Sequence, residues 1–144
     1  MLAKAPHGHW RTTTMISSVR LDGSTACMTI EGATDTAVFH AYVREILCPS
    51  LRAGDIVVID NLAPHKHDQT VALITAVGAS VRFLPAYSPD LNPIEMMWSK
   101  VKALLRTAEA RTADELQRAI GAALQRVSAQ DAAGWFAACG YSII

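Results

Sequence analysis

Cysteine is scarce in this chain: three residues in 144 (Cys27, Cys48 and Cys139), odd in number, far apart and without a C-x-x-C pair. That argues against a disulfide framework or a cysteine zinc site and leaves small core residues as the reading. Net charge is missing as well. Thirteen basic and thirteen acidic side chains cancel to a formal charge of zero, which gives no support to non-specific nucleic-acid binding by the chain as a whole. Apolar runs are short and interrupted by charges, so none is long enough to span a membrane. The opening "MLAKAPHGHW" has no apolar signal-peptide core, which makes a cytoplasmic protein the expectation. There is no repeat, linker or low-complexity tract.

What is present suits one packed domain over residues 1–144. The hydrophobic share is 51% and the mean hydropathy +0.20, far from the composition of a disordered chain. Basic residues gather in "WSKVKALLRTAEAR", which carries Lys100, Lys102, Arg106 and Arg111. Such a run is a local basic face or an ordinary solvated helix surface.

Periodicity orders the elements. "HWRTTTMISSVRLDGSTACMTIEGA" reads as two strands joined at Asp22-Gly23, a strong hairpin signal. "TDTAVFHAYVREILCPSL" has helical spacing, with Pro49 as its stop. "DIVVID" is an uninterrupted apolar strand of the kind covered on both faces. "HDQTVALITAVGA" is a short helix ending at Gly78, and "VRFLP" is another strand. A proline-rich loop then opens the helix "PIEMMWSKVKALLR", whose apolar stripe is Ile94, Met97, Trp98, Val101 and Leu105. "TADE" and "SAQD" are capping-box patterns for two last helices, with Gly140 as a C-cap. The order predicts an α/β or mixed α+β sheet domain.

Two acids stand out by position. Asp60 closes the apolar strand, where ligands gather in open α/β sheets. Glu95 sits in the first turn of the helix that follows the next strand. The intervening helix and strand can bring both carboxylates to one edge of the sheet. Carboxylates that share magnesium are the usual apparatus of phosphoryl transfer. Each acid also has a plain reading. Asn92-Pro93-Ile94-Glu95 is a good helix opening in which Glu95 reaches back to the Asn92 amide, and Asp60 can cap the segment after its strand. Spacing alone decides for neither.

The wording of the motifs carries more. "VVIDNLAPHK" followed by "VRFLPAYSPDLNPIEMMWSKVK" closely resembles the catalytic core of DDE-type transposases, in the bacterial insertion-sequence branch of the mariner superfamily. The likeness runs from "HGHWRTTTMISSVRLDG" to the closing "CGY". It implies an RNase H-like mixed sheet flanked by helices, with three acids holding two divalent ions, Mg2+ or Mn2+. Those ions drive strand cleavage at transposon ends and joining of the free 3′ hydroxyl to target DNA. Carried over by position, Asp60 matches the second acid and Glu95 the third, both as metal ligands. Asn61 and His65 match the polar companions of the second acid. Tyr87, Ser88, Pro89 and Asn92 match the loop that positions the third. Trp98 fits the pattern too, although its place on the apolar stripe assigns it to the core. Residues 95, 99, 102 and 106 share a helix face, so Glu95 heads a stripe of Ser99, Lys102 and Arg106 expected to follow a DNA backbone.

The chain also departs from that family. Its first acid belongs on a strand ahead of "APHGHWRTTT", where only Met1 to Lys4 stand. Asp22 lies in the hairpin turn, Glu31 ends a strand, and Asp35 reads as an N-cap. The family's helix-turn-helix region for transposon ends has no counterpart either. The expectation is therefore the C-terminal portion of a transposase, lacking the first strand and silent by itself, with an unpaired strand edge open to homo-oligomers or to intact transposase. The alternatives are a truncated product that restrains intact transposase, or a decayed remnant. A small metal protein built on His7-x-His9 and His65-x-His67 is a weaker third, since no cysteine lies near them.

Overall fold

A computed structural model describes residues 2–4, 13–60 and 68–141 of the chain. β1 (Leu2–Lys4), β2 (Thr13–Val19) and β3 (Thr25–Glu31) form one antiparallel sheet in that order. β1 is too short for its alternation to register in the sequence. The hairpin between β2 and β3 turns where expected. Asp22 Oδ1 accepts the Ser24 amide at 2.9 Å and the Ser24 hydroxyl at 2.6 Å, while Gly23 takes a φ of +90°, a conformation with no steric cost for glycine.

β2 is the strand covered on both faces: Thr13 to Ser17 are all buried. Successive side chains on a strand point opposite ways, so neighbours feed different cores. Met15 packs with Ile94, Met97, Trp98, Val101 and Leu105, and with Leu116 and Ile120. Ile16 packs with Tyr42, Val43, Leu47 and Ile74. Met15 and Ile16 are 0% and 1% exposed, and burial of each side chain contributes roughly 1.5–3 kcal/mol.

After the hairpin, α1 (Thr36–Tyr42) opens on Asp35, whose carboxylate accepts the Val38 amide at 2.8 Å. Pro49 does not stop the helix as the sequence suggests. A π turn (Val43–Leu47) leads into the short α2 (Cys48–Ser50), with the Cys48 amide donating to Val43 O. Proline lacks an amide hydrogen and its ring would clash with the carbonyl four residues back. Widening the preceding turn lets Pro49 enter at the first turn of a new segment, and the chain becomes extended at Leu51.

β4 (Ile56–Ile59) and β5 (Ser80–Phe83) form a separate parallel pair bridged by α3 (Asp68–Ala76). The apolar run of β4 is less covered than its composition suggests. Ile56 is 61% exposed and Val57, Val58 and Ile59 are only half-buried. Among the described residues β4 pairs with β5 alone.

Three helices complete the chain: α4 (Ile94–Ala108), α5 (Ala113–Gln125) and α6 (Ala129–Ala138). The α4 stripe is the one read from the sequence, with all five apolar positions buried. Ser128 and Asp131 form the full reciprocal box at α6. At α5 only half of it forms, because Glu115 Oε2 accepts from the Arg111 amide rather than that of Thr112. The architecture is mixed α/β, consistent with an RNase H-like fold, with its strands split between two small sheets.

Candidate functional site

Asp60 directly follows β4, and the loop after β5 returns to meet it. That loop contains a 3-10 turn at Pro89–Leu91 and then Asn92, which is 6% exposed. The Asn92 side chain works in two directions. Its Nδ2 donates to Asp60 Oδ1 at 3.0 Å, and its Oδ1 accepts the Ile94 amide at 3.2 Å, which opens α4. The Asn92 backbone amide donates to Pro89 O at 3.1 Å. Glu95 therefore does not perform the reach-back expected of a capping box; the amide it would cap is already used by the 3-10 turn.

Glu95 is half-buried. Burial pushes its carboxyl above the ordinary glutamate range, and the negative charge of Asp60 pushes the same way, while the Lys102 ammonium opposes both. The two acids singled out in the sequence thus stand in one electrostatic neighbourhood. Both line a cavity of about 980 Å3 between β2 and β4, together with Asn92 from the loop and Phe136 and Tyr141 from the α6 end. Tyr141 also ties that end to the loop, its Oη donating to Leu91 O at 2.7 Å. Nothing in the sequence around Tyr141, beyond the Gly140 C-cap, signals this role.

Oxygen donors of this kind suit a hard divalent cation, and magnesium is commonly held by one or two carboxylates with water filling its other positions. Asp60 and Glu95, which line one cavity, are the two carboxylates that would hold such an ion. No group of three His, Cys, Asp or Glu converges among the described residues. The undescribed stretches contain no Asp or Glu, so all thirteen acids are accounted for. Asp22, Asp35 and Asp55 line the same cavity, but each is held in place by its own partners. Asp22 accepts from Ser24, Asp35 from the Val38 amide, and Asp55 from Arg20 at 2.8 and 2.9 Å. The Arg20 guanidinium holds the Asp55 carboxyl down at about 2.

The remaining candidates divide. Tyr87 is 98% exposed with a left-handed φ of 58°, and Ser88 Oγ donates to Ala86 O at 3.3 Å. On α4, Ser99 and Arg106 are exposed and Lys102 half-buried, so the stripe below Glu95 faces solvent. Lys100 belongs to a different structure: its ammonium is bonded to Asp131 and to Arg126 O, which ties α4 to α6. Trp98 is 2% exposed, a core residue as its position on the stripe indicates. The cysteines are free, and burial pushes the Cys27 thiol up to about 11. Asn61 and His65 lie outside the described residues, as do His7, His9 and His67.

A family model described as DDE superfamily endonuclease matches residues 2–117, from β1 into α5. No curated protein matches the chain.

Proposed function

This chain belongs to the DDE superfamily endonuclease family, and from that premise we propose that it is the catalytic-domain portion of an insertion-sequence transposase of the mariner superfamily. Its substrate is DNA, at transposon ends and target. The observation that carries the reading is the Asn92–Asp60 hydrogen bond. It draws the acid after β4 against the start of α4, the helix that bears Glu95.

In this reading Asp60 and Glu95 hold Mg2+ or Mn2+, and the ion, when bound, would activate the attacking oxygen and stabilise the leaving one. Asn92 fixes one oxygen of Asp60, so the ligand set does not have to be ordered afresh on binding. Lys102 and Arg106 neutralise backbone phosphates along α4 while Ser99 offers a hydroxyl to the same strand. Tyr87 and Ser88 flank the acids on the loop, and Asn61 and His65 follow Asp60 as polar companions.

Two converging acids fall short of the three that a two-ion site requires. Residues 1–144 by themselves are therefore catalytically silent. A second reading follows from the same shortage: a non-catalytic product that pairs with intact transposase, or with itself, and restrains it. Incubating the purified chain with transposon-end DNA and either metal should leave the DNA intact. Specific nicking that disappears in Asp60→Ala would overturn the silent reading. Co-purification with intact transposase would support the restraining role, and failure to bind either it or DNA would remove both.

A further inference from the structure

The loop between β5 and α4 leaves and returns at the same acid. The Leu84 amide donates to Ile59 O at 2.9 Å, which sets the end of β5 beside the residue before Asp60. Asn92 Nδ2 brings the chain back by donating to Asp60 Oδ1 at 3.0 Å. Between these ties the loop is held from within. Ser88 Oγ donates to Ala86 O, the Leu91 amide to Ser88 O and the Asn92 amide to Pro89 O. Tyr141 Oη fastens Leu91 O from outside. Tyr87 follows Leu84 by three residues, and three residues of chain span at most roughly 11 Å. Its backbone therefore stands within that distance of Leu84, close to the acids.

Tyr87 is unusual in ring and backbone alike. The ring is 98% exposed, against 61% for Ile56, the next most exposed large apolar side chain among the described residues. The backbone takes a φ of 58°, a conformation that a residue with a Cβ adopts at a cost. Among the described residues the other non-glycine case is Glu109, which closes α4 as its left-handed C-cap. Tyr87 closes no helix. A strained residue of this kind persists where its surroundings fix it, and here they hold an aromatic face outward. The chemistry of the loop narrows what that face can meet. Residues 84–93 contain no Lys or Arg, and their single acid, Asp90, is exposed. The loop therefore attracts no phosphate, but a neutral flat ring can lie on the tyrosine. Within a duplex both faces of a base are covered by its neighbours in the stack. An unpaired base has a face to offer.

We propose that Tyr87 is a stacking platform for a single unpaired nucleobase of the DNA strand held at Asp60 and Glu95. The proposal rests on the DNA reading above and adds a base contact to the phosphate contacts of Lys102 and Arg106. Extruding a base beside the reacting phosphate loses its stacking partners, and the Tyr87 ring replaces one of them. Because the loop is already fixed at both ends, little ordering is needed when the base arrives. Every base has a π-face, so the platform selects distorted DNA rather than a sequence. The contact is made by the ring and needs no hydroxyl.

The test uses the full 144-residue chain and two DNA probes: a duplex with one unpaired 2-aminopurine as a single-nucleotide bulge, and the same duplex without the bulge. Anisotropy reads affinity, and 2-aminopurine fluorescence reads stacking. The wild type should bind the bulged duplex at least about five-fold more tightly than the intact one and quench the probe. Tyr87→Ala should lose the preference and the quenching while its affinity for the intact duplex stays unchanged. Tyr87→Phe should keep both. Tyr87→Gly, which suits the φ of 58° and carries no ring, should be no less stable than the wild type yet lose the preference as alanine does. If the wild type shows no preference, if Tyr87→Ala or Tyr87→Gly retains it, or if Tyr87→Phe loses it entirely, the platform is overturned and the DNA reading stands. A wild type that binds neither duplex would overturn the DNA reading and the platform with it.

Discussion

The side-chain amide of Asn92 donates to Asp60 Oδ1 at 3.0 Å across thirty-two positions of chain, while its carbonyl oxygen caps the first amide of α4. One buried residue thus couples the end of a strand to the start of a helix. Asn92→Ala removes both bonds and leaves Asp60 and the Ile94 amide without them. The expected cost is about 1–3 kcal/mol, read from the urea midpoint. Asn92→Asp keeps the cap acceptor but sets a second carboxylate against Asp60, so it should be no more stable than the alanine variant at pH 7 and should recover at acid pH. Equal stability of all three proteins at pH 7 would contradict the coupling.

Glu95 gives a pH dependence with a definite sign. Burial first, and Asp60 second, raise its folded-state pKa above the ordinary 4.5. The folded protein then holds that proton more tightly than the unfolded chain, so stability falls as pH climbs from the ordinary value through the raised one. Glu95→Gln removes the penalty. The variant should be the more stable protein at pH 7, and its advantage should vanish below the ordinary value. Magnesium should narrow the gap at pH 7 by stabilising the wild type alone. An advantage that persists unchanged at acid pH would place its origin elsewhere.

Sequence and structure agree most closely where periodicity and local chemistry coincide. The α4 stripe, the Asp22-Gly23 turn and the Ser128–Asp131 box each depend on residues a few positions apart, and each is found as read. The burial of β4 depended on neighbours that a run of four β-branched residues cannot name. "IVVI" signals a strand with apolar sides, but its coverage is decided by which strands lie beside it. β2, with its threonines and serines, looks half-polar and is nonetheless the strand buried on both faces. At the site, the spacing of Asp60 and Glu95 allowed them to meet. The Asn92 bond that joins their elements is a long-range contact with no local signature. Pro49 shows the opposite limit: its effect on the backbone was legible, but the π turn that absorbs it was not.

Gly23 meets a constraint beyond its φ of +90°. A Cβ built there would lie 2.7 Å from the Ser128 carbonyl carbon and 2.8 Å from the Ala129 amide nitrogen. The hairpin turn is therefore pressed against the N-terminus of α6, and both neighbours are backbone atoms that cannot rotate aside. Gly23→Ala should destabilise by more than the roughly 1 kcal/mol of a left-handed alanine alone. Gly32, with a φ of +89° but nothing within 4 Å, is the internal control. Gly32→Ala should carry the conformational penalty without the clash. Matching losses at the two positions would show that the hairpin yields to the added methyl.

The basic residues of α4 look alike in sequence, but the structure separates them into two functions. Lys102 and Arg106 lie on the solvent-facing stripe below Glu95, whereas Lys100 is bonded to Asp131 and to Arg126 O. Replacing Lys102 and Arg106 together by alanine removes two cations that can displace counterions from DNA. The slope of log affinity against log salt should fall by nearly two, with little change in thermal stability. Lys100→Ala should do the reverse. It loosens α4 from α6, costing about 1 kcal/mol for a partly exposed pair, and leaves the salt slope as it was. Because all three substitutions delete one positive charge per residue, a purely non-specific basic surface predicts equal effects per charge. Salt titrations of the three proteins on one duplex decide the matter: equal slopes per deleted charge would dissolve the stripe into general surface charge, and a loss confined to Lys102 and Arg106 would fix the path of the DNA along α4.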